Sequence, residues 1–575
     1  MDRITKAFLG EFQESEGLAS SEESKVFEMF ATYCALSEVH HDSVDITDFH
    51  IGGGADLGID GIAIILNGTP INSVEEVQGQ MDSSGHVDVM FMFVQAKSSS
   101  SFSGESIANF LDGVDEFFSE NPRLPMNDRV VSLRLIMEEV YANSSKFKKS
   151  KPVCRVCYAT TGRWTDDPYL IAKVEKSVDV LRSTNLFSDV QFVPMGADEL
   201  QEAYQRSKNS VTAEFAFANK VLLPPIDGVD EAYFGWISAT EYLKIIEDGV
   251  GGVRKSLFTD NVRDFQSYNP VNTEIYSTIE SKNDRGRFVV LNNGITIVAR
   301  SLSTTRDKVI ISDYQIVNGC QTSHVLFEAK EYVDETVHVP VKVIATQNED
   351  VVNRIVTATN RQTQVTTDDL HARLGFAKKL ESYFVAHDDK ERLYLERRSR
   401  QYAAVQGIEK VRIVTKPQLI KAFAGMFLNE PHRALGYSGE LDPWVGSKIF
   451  NDLHKLEPYY TAAYAHYKLE FFFRNGAIDS VYKPARFHLL MIVRSQVAGP
   501  AIPDLTTRKA EKYSQTICES LWDGAKALKA FSDATQVVDK VVQIEDLSRD
   551  YAKARPFLDD INAQLGTVPL RGGSA

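Results

Sequence analysis

The sequence predicts an α/β multidomain protein. A mixed helix–strand region spans 1–215, an α+β region 216–370 and a mainly helical region 371–575. Three observations carry that division. In the first third, apolar runs of strand length, Ile62–Leu66 and Met90–Phe93, alternate with helically spaced stretches. In the middle, strand-like runs break at Asn-Gly turns. From about residue 366, Leu370, Leu374, Ala377, Leu380 and Phe384 recur at the spacing of one helix face. A chain of 575 residues is long enough for several cores. With 43% hydrophobic and 25% charged residues, it is not a largely disordered chain.

In the first region, Ser20 and Glu23 have capping-box spacing ahead of a helix through Val26, Phe27, Phe30, Tyr33 and Cys34. Glu28 lies at the flank of that apolar stripe. After Gly52-Gly53-Gly54 comes Asp56-Leu-Gly-Ile-Asp60-Gly61, then a strand over Ile62–Leu66 and a turn at Asn67-Gly68. A further short strand before Asp56 also fits the pattern. Val87–Val94 reads as a buried strand ending in Gln95-Ala96-Lys97. Ile107, Phe110, Leu111, Val114, Phe117 and Phe118 mark an amphipathic helix, and Val153–Ala159 a further strand. Cys154 and Cys157 sit inside that strand without a second ligand pair nearby, so they are expected in the core.

The chemistry of this region concentrates at Asp60, Gln95 and Lys97. Strand side chains alternate, so Gln95 and Lys97 leave the same face, and pairing of the two strands would bring Asp60 beside them. A carboxylate and an amide oxygen are hard ligands suited to Mg²⁺. A lysine beside them could orient water or stabilise charge on a phosphate. The same residues also fit solvated strand ends. The string D-x-G-I-D-G, a hydrophobic strand and Q-A-K resembles the Mrr-like branch of the PD-(D/E)XK nucleases. That resemblance implies a restriction-endonuclase-like αβββαβ core, with Asp60, Gln95 and the helix acid Glu28 holding Mg²⁺ or Mn²⁺. It gives Lys97 the role of assisting the attacking water. Asp56 reads as a turn residue or an outer acid.

In the middle region, Phe288–Leu291 reads as a strand, Asn292-Asn293-Gly294 as a break, and Ile295–Ala299 as another strand. Val309–Val317 ends in Asn318-Gly-Cys-Gln321-Thr-Ser, opening a helix. Val339–Ile344 is a strand, and a helix over 349–358 leads to Asn360-Arg361-Gln362. Asn292, Asn293, Asn318, Gln321, Arg354, Asn360, Arg361 and Gln362 could converge on a phosphate or nucleotide cradle. The competing reading is backbone turn chemistry. The blocks NVRDF, LNNGITIVA, IVNGCQTS and ATNRQT, in that order, resemble the AIPR family of bacterial abortive-infection phage-resistance proteins. The N-G-x-Q pattern also resembles ParB-like and DGQHR-type domains, which implies a nucleotide- or nucleic-acid-sensing role.

In the last region, Arg397, Arg398 and Arg400 lie among Tyr394 and Tyr402, a mixture suited to phosphate contact and base stacking. A solvated helix face with internal Glu–Arg pairs fits equally. Formal charge is −16 overall, yet residues 1–120 hold 4 Lys and Arg against 22 Asp and Glu. Residues 373–416 hold 11 basic and 6 acidic residues. An acidic catalytic end should repel a polyanion, so the basic segment or a partner chain is expected to hold substrate. No apolar run is long enough for a transmembrane helix, and the N-terminal sequence lacks a signal-peptide core. A cytoplasmic protein without a membrane partner is expected.

Together these readings lead to a metal-dependent nuclease of anti-phage defence, acting on DNA or alternatively RNA. The helical end is expected to support a homodimer, and the resemblance implies restraint until a phage factor or nucleotide activates it. The competing class is a catalytically silent sensing scaffold.

Overall fold

The computed structural model describes residues 1–566, apart from 19–20, 41–43, 84–86, 148–150, 209–210, 248–251, 259–269, 361–366, 398–400, 403–404, 406 and 437–439. The N-terminal part opens with α1 (Arg3–Ser15) and α2 (Glu23–Ser37), then β1 (Gly61–Leu66) and β2 (Thr69–Ile71). It continues through α3 (Val74–Ser83), β3 (Val89–Lys97), α4 (Gly104–Phe118), α5 (Asp128–Ala142) and β4 (Val153–Thr160). It closes with α6 (Pro168–Ser183), β5 (Asp189–Met195) and α7 (Ala197–Lys208). The sheet order is β2-β1-β3-β4-β5. β1 pairs antiparallel with β2 and β3, while β3, β4 and β5 run parallel.

β3 is apolar on both faces because both are covered. Phe91 and Phe93 pack in one layer with residues of α4 and α5, and Met92 and Val94 in the other with α2 and α7. Cys154 and Cys157 are buried free thiols. Two expectations need correction. Glu22, not Ser20, occupies the N-cap of α2 and makes no side-chain cap; Ser20 lies outside the described residues. Before Asp56 the described chain forms only a single antiparallel bridge, His50 with Gly61.

The second sheet is built from β6 (Thr212–Ala216), β7 (Asn219–Leu222), β8 (Glu231–Ser238), β9 (Ile295–Thr305), β10 (Lys308–Asn318) and β11 (His338–Ala345). Its order is β6-β10-β9-β11-β8-β7. Among the described residues, α8 (Ala239–Ile246), α9 (Pro270–Glu280), α10 (Phe288–Leu291) and α11 (Cys320–Glu328) lie between its strands. α12 (Glu349–Asn360) follows β11. α8, α9 and α11 cover the face carrying Ile297, Ile316 and Val341. α12 lays Val352 and Val356 on Val298 and Val317 of the opposite face. Residues 288–291, expected as a strand, form the single turn α10. Phe288 is buried and Val290 and Leu291 face outward, so the run anchors through one side chain and joins no ladder.

The C-terminal part is helical, as its periodicity predicts. It comprises α13 (Thr367–Val385), α14 (Lys416–Phe427), α15 (Pro431–Ala434), α16 (Glu457–Arg474), α17 (Arg486–Ala498), α18 (Arg508–Trp522), α19 (Gly524–Asp539), α20 (Arg549–Lys553) and α21 (Arg555–Gln564). α14 starts on a true capping box, Thr415 with Gln418, and a proline in its first turn. In the core Phe423 lies flat on Tyr459, ring centres 3.9 Å apart. One correction applies here: β12 (Tyr394–Glu396) and β13 (Ile413–Thr415) form a parallel pair inside a stretch read as helical. Among the described residues no helix is long and apolar enough to cross a membrane.

Candidate functional site

Antiparallel pairing sets Gly61 against Val94, which brings Asp60 level with Gln95. The Asp60 N–H donates to the Val94 carbonyl at 2.9 Å, and the Ala96 N–H donates to Asp60 Oδ2 at 2.7 Å. Gln95 Nε2 donates to the Gly58 carbonyl at 2.6 Å. That carbonyl is presented by a turn in which Leu57 and Gly58 both have positive φ, 59° and 70°. A leucine in that region is strained. Gln95 Oε1 is buried and, among the described residues, receives no hydrogen bond. Lys97 is half-buried on the same strand face.

Glu28 reaches the site because position 61 is glycine. A Cβ there would fall 2.4 Å from Thr32 Oγ1, so α2 packs directly on the start of β1. Thr32 Oγ1 donates to the Glu28 carbonyl one turn earlier, at 2.8 Å. The Glu28 carboxylate meets His50 Nε2 at 2.8 Å. Burial raises the Asp60 carboxyl from its ordinary 3.8 to about 6. The Ala96 N–H opposes that rise; Glu28 and Asp56 add to it, and Lys97 opposes it. These four charged groups therefore act on one another across a single site. Gly61→Ala is expected to cost about 1–3 kcal/mol through overpacking against Thr32. Denaturant unfolding measures this, and displacement of α2 should also depress any activity that uses Glu28.

Among the described residues no group of three or more His, Cys, Asp and Glu side chains is arranged to hold a metal. The donor set that fits a hard cation is mixed: Asp60, the undonated Gln95 oxygen and Glu28. Mg²⁺ commonly takes one or two carboxylates and keeps several waters, so this set suits it.

The other expected residues separate into groups. Asn292 Nδ2 donates to Thr322 Oγ1 at 3.1 Å, and Gln321 Oε1 accepts from Asn272 at 2.7 Å. With Asn318 two residues ahead of α11, these amides gather at the start of that helix; Asn293 is exposed beside them. Arg354 is exposed on α12, which packs on the opposite face of the sheet from α11. Asn360 ends α12, its side chain outside the described residues, as are Arg361 and Gln362. Arg397 is bound to Glu381 through its Nε at 2.6 Å, and Tyr402 donates to the same carboxylate at 3.0 Å. Arg398 and Arg400 lie outside the described residues. His50 was not singled out from the sequence. Its only signal there is its place just before the triple glycine, and its bridge to Gly61 is a long-range pairing.

No curated protein and no solved structure matches the chain. The family model described as "AIPR protein" matches residues 258–545, crossing from the second sheet through most of the helical part. It covers half of the sequence, and on that extent the chain belongs to the AIPR protein family.

Proposed function

We propose that the chain is a metal-dependent nuclease of bacterial abortive-infection defence, hydrolysing phosphodiester bonds with DNA as the favoured substrate. Membership of the AIPR family supports the defence role. The observation that carries the nuclease reading is the buried Gln95 oxygen, without a donor among the described residues and level with a carboxyl raised to about 6. An unpaired buried acceptor is costly, and a cation between it and Asp60 would satisfy both.

Asp60, Gln95 and Glu28 would hold Mg²⁺ or Mn²⁺. Such an ion polarises a phosphate oxygen and makes water a better nucleophile. The chain does the rest. The Gly58 carbonyl fixes the Gln95 amide so that its oxygen, not its nitrogen, is presented. His50 holds the Glu28 carboxylate. The Lys97 ammonium orients the attacking water and stabilises charge developing on the phosphate.

The test is incubation with plasmid, single-stranded DNA and total RNA, in Mg²⁺, Mn²⁺ or EDTA. Cleavage should need the metal and fall about 10²-fold or more in Lys97→Ala. No cleavage of any substrate, or equal cleavage by Lys97→Ala, would overturn the reading. Cleavage of RNA alone would reassign the substrate.

A further inference from the structure

Several acids of the first 120 residues, among them Asp45, Asp48, Glu75 and Glu76, are paired with cations of the helical part. Arg474 meets Asp45 at 3.0 Å, and Lys483 and Arg486 both meet Asp48 at 3.5 Å. Lys421 and Arg549 meet Glu76 at 3.4 and 3.7 Å, and Lys553 pairs with Glu75. These are not loose surface pairs. The side chains of Arg474 and Asp45 are only 6% and 17% exposed. The neighbouring cations hold the Asp48 carboxyl well below the usual carboxylate range, against a desolvation that pushes it up. A half-buried charge of this kind is strongly destabilising once its partner is removed.

The acids gripped by these ion pairs lead straight to the candidate site. The segment 45–51 carries Asp45 and Asp48 at one end, and Lys483 also donates to Thr47 Oγ1 at 3.0 Å. Its Phe49 carbonyl accepts from the Ile62 N–H at 3.0 Å. His50 then holds Glu28 at 2.8 Å, and the Ile51 N–H donates to the Asp60 carbonyl at 2.8 Å. Seven residues thus join the helical part to both site acids.

We propose that the helical part positions Glu28 and Asp60 through the segment 45–51, so that docking of the C-terminal helices is a condition for an assembled metal site. His50 is a positioning residue in this arrangement. The metal part of the inference rests on the nuclease reading; the mechanical part does not. Loss of the Lys483 and Arg486 charges removes the two cations paired directly with Asp48 and leaves it Arg129 and Arg549, so the hold on the turn weakens and the turn moves toward water. That motion carries His50 away from Glu28.

The experiment uses the full chain with ¹³C-labelled histidine, the His50 signal being assigned by its absence in His50→Gln. In the double variant Lys483→Gln/Arg486→Gln the His50 signal should shift, with the signal of His338, at the start of β11 in the second sheet, unmoved. Arg486→Lys alone should keep it near its wild-type position. Titration with Mn²⁺ should show about tenfold weaker binding in the double variant. If the double variant does not fold, Asp48→Asn removes the same pairs from the acidic side and is read in the same way. An unmoved His50 signal in a folded variant would overturn the proposal, and so would unchanged Mn²⁺ affinity. If the wild type binds no Mn²⁺, the nuclease reading falls, while the His50 signal still decides the mechanical coupling.

Discussion

Asp60→Asn is expected to abolish metal-dependent cleavage, by about 10²–10³-fold or more, while making the folded chain more stable at neutral pH. The two effects have one cause. Asp60 is buried, and burial lifts its carboxyl from 3.8 to about 6. Between those values the folded chain holds a proton that the unfolded chain has released. Stability contributed by this group therefore falls as pH rises from about 4 to 6. A two-unit displacement corresponds to roughly 3 kcal/mol. An asparagine keeps an oxygen for the Ala96 N–H and carries no charge to desolvate. Melting curves across pH 4 to 8 should show the wild type losing stability relative to the variant up to about pH 6, with a constant gap above. Added Mg²⁺ should raise the wild-type melting temperature and leave the variant unmoved, since only a ligand that binds the folded state stabilises it. A variant that cleaves normally, or gains nothing in stability, would contradict this assignment.

The second large effect concerns the stability of the helical part. His488 is fully buried on α17, edge-on to Phe557 at 4.8 Å between ring centres. Among the described residues neither ring nitrogen has a hydrogen-bond partner. Burial, with a smaller push from His432, lowers its pKa from 6.5 to about 3. Between those values the unfolded chain binds a proton that the folded chain refuses, so stability drops as pH falls from 6.5 toward 3. The loss from this one residue is about 2 kcal/mol by pH 5 and approaches roughly 5 kcal/mol near pH 3. His488→Leu, similar in volume and without a titrating group, should remove that acid sensitivity. Urea unfolding at pH 7 and pH 5 measures it. An equal pH 5 loss in the variant would show that the acid response originates elsewhere.

The sheet of the candidate site was legible in the sequence because both strands are buried on two faces. Continuous apolar runs at Ile62–Leu66 and Met90–Val94 can hardly be placed otherwise. Asp60, Gln95 and Lys97 follow from the ends of those runs. Glu28 was legible as a carboxylate at the flank of a packed helix, but the means of its approach was not, since that depends on glycine at 61 beneath Thr32. Phe288–Leu291 misled because an apolar run of four residues, two of them valine, has no period long enough to separate strand from helix. Arg397 and Tyr402 looked ready for phosphate, but their partner Glu381 lies outside the local pattern. The ion pairs between the helical part and the acidic N-terminal region were illegible for a deeper reason. Arg474 and Asp45, or Lys553 and Glu75, are more than 400 residues apart, and no local periodicity relates them. They also correct the simple view of the charge imbalance. Asp45, Asp48, Glu75 and Glu76 are neutralised within the chain and not held in reserve against substrate.

The most direct measurement is anomalous diffraction from crystals of the full chain soaked in Mn²⁺. The account predicts a peak within about 2.5 Å of both an Asp60 carboxylate oxygen and Gln95 Oε1, lost in Asp60→Asn. No peak there in well-diffracting soaked crystals, or a peak ligated only by other residues, would contradict it.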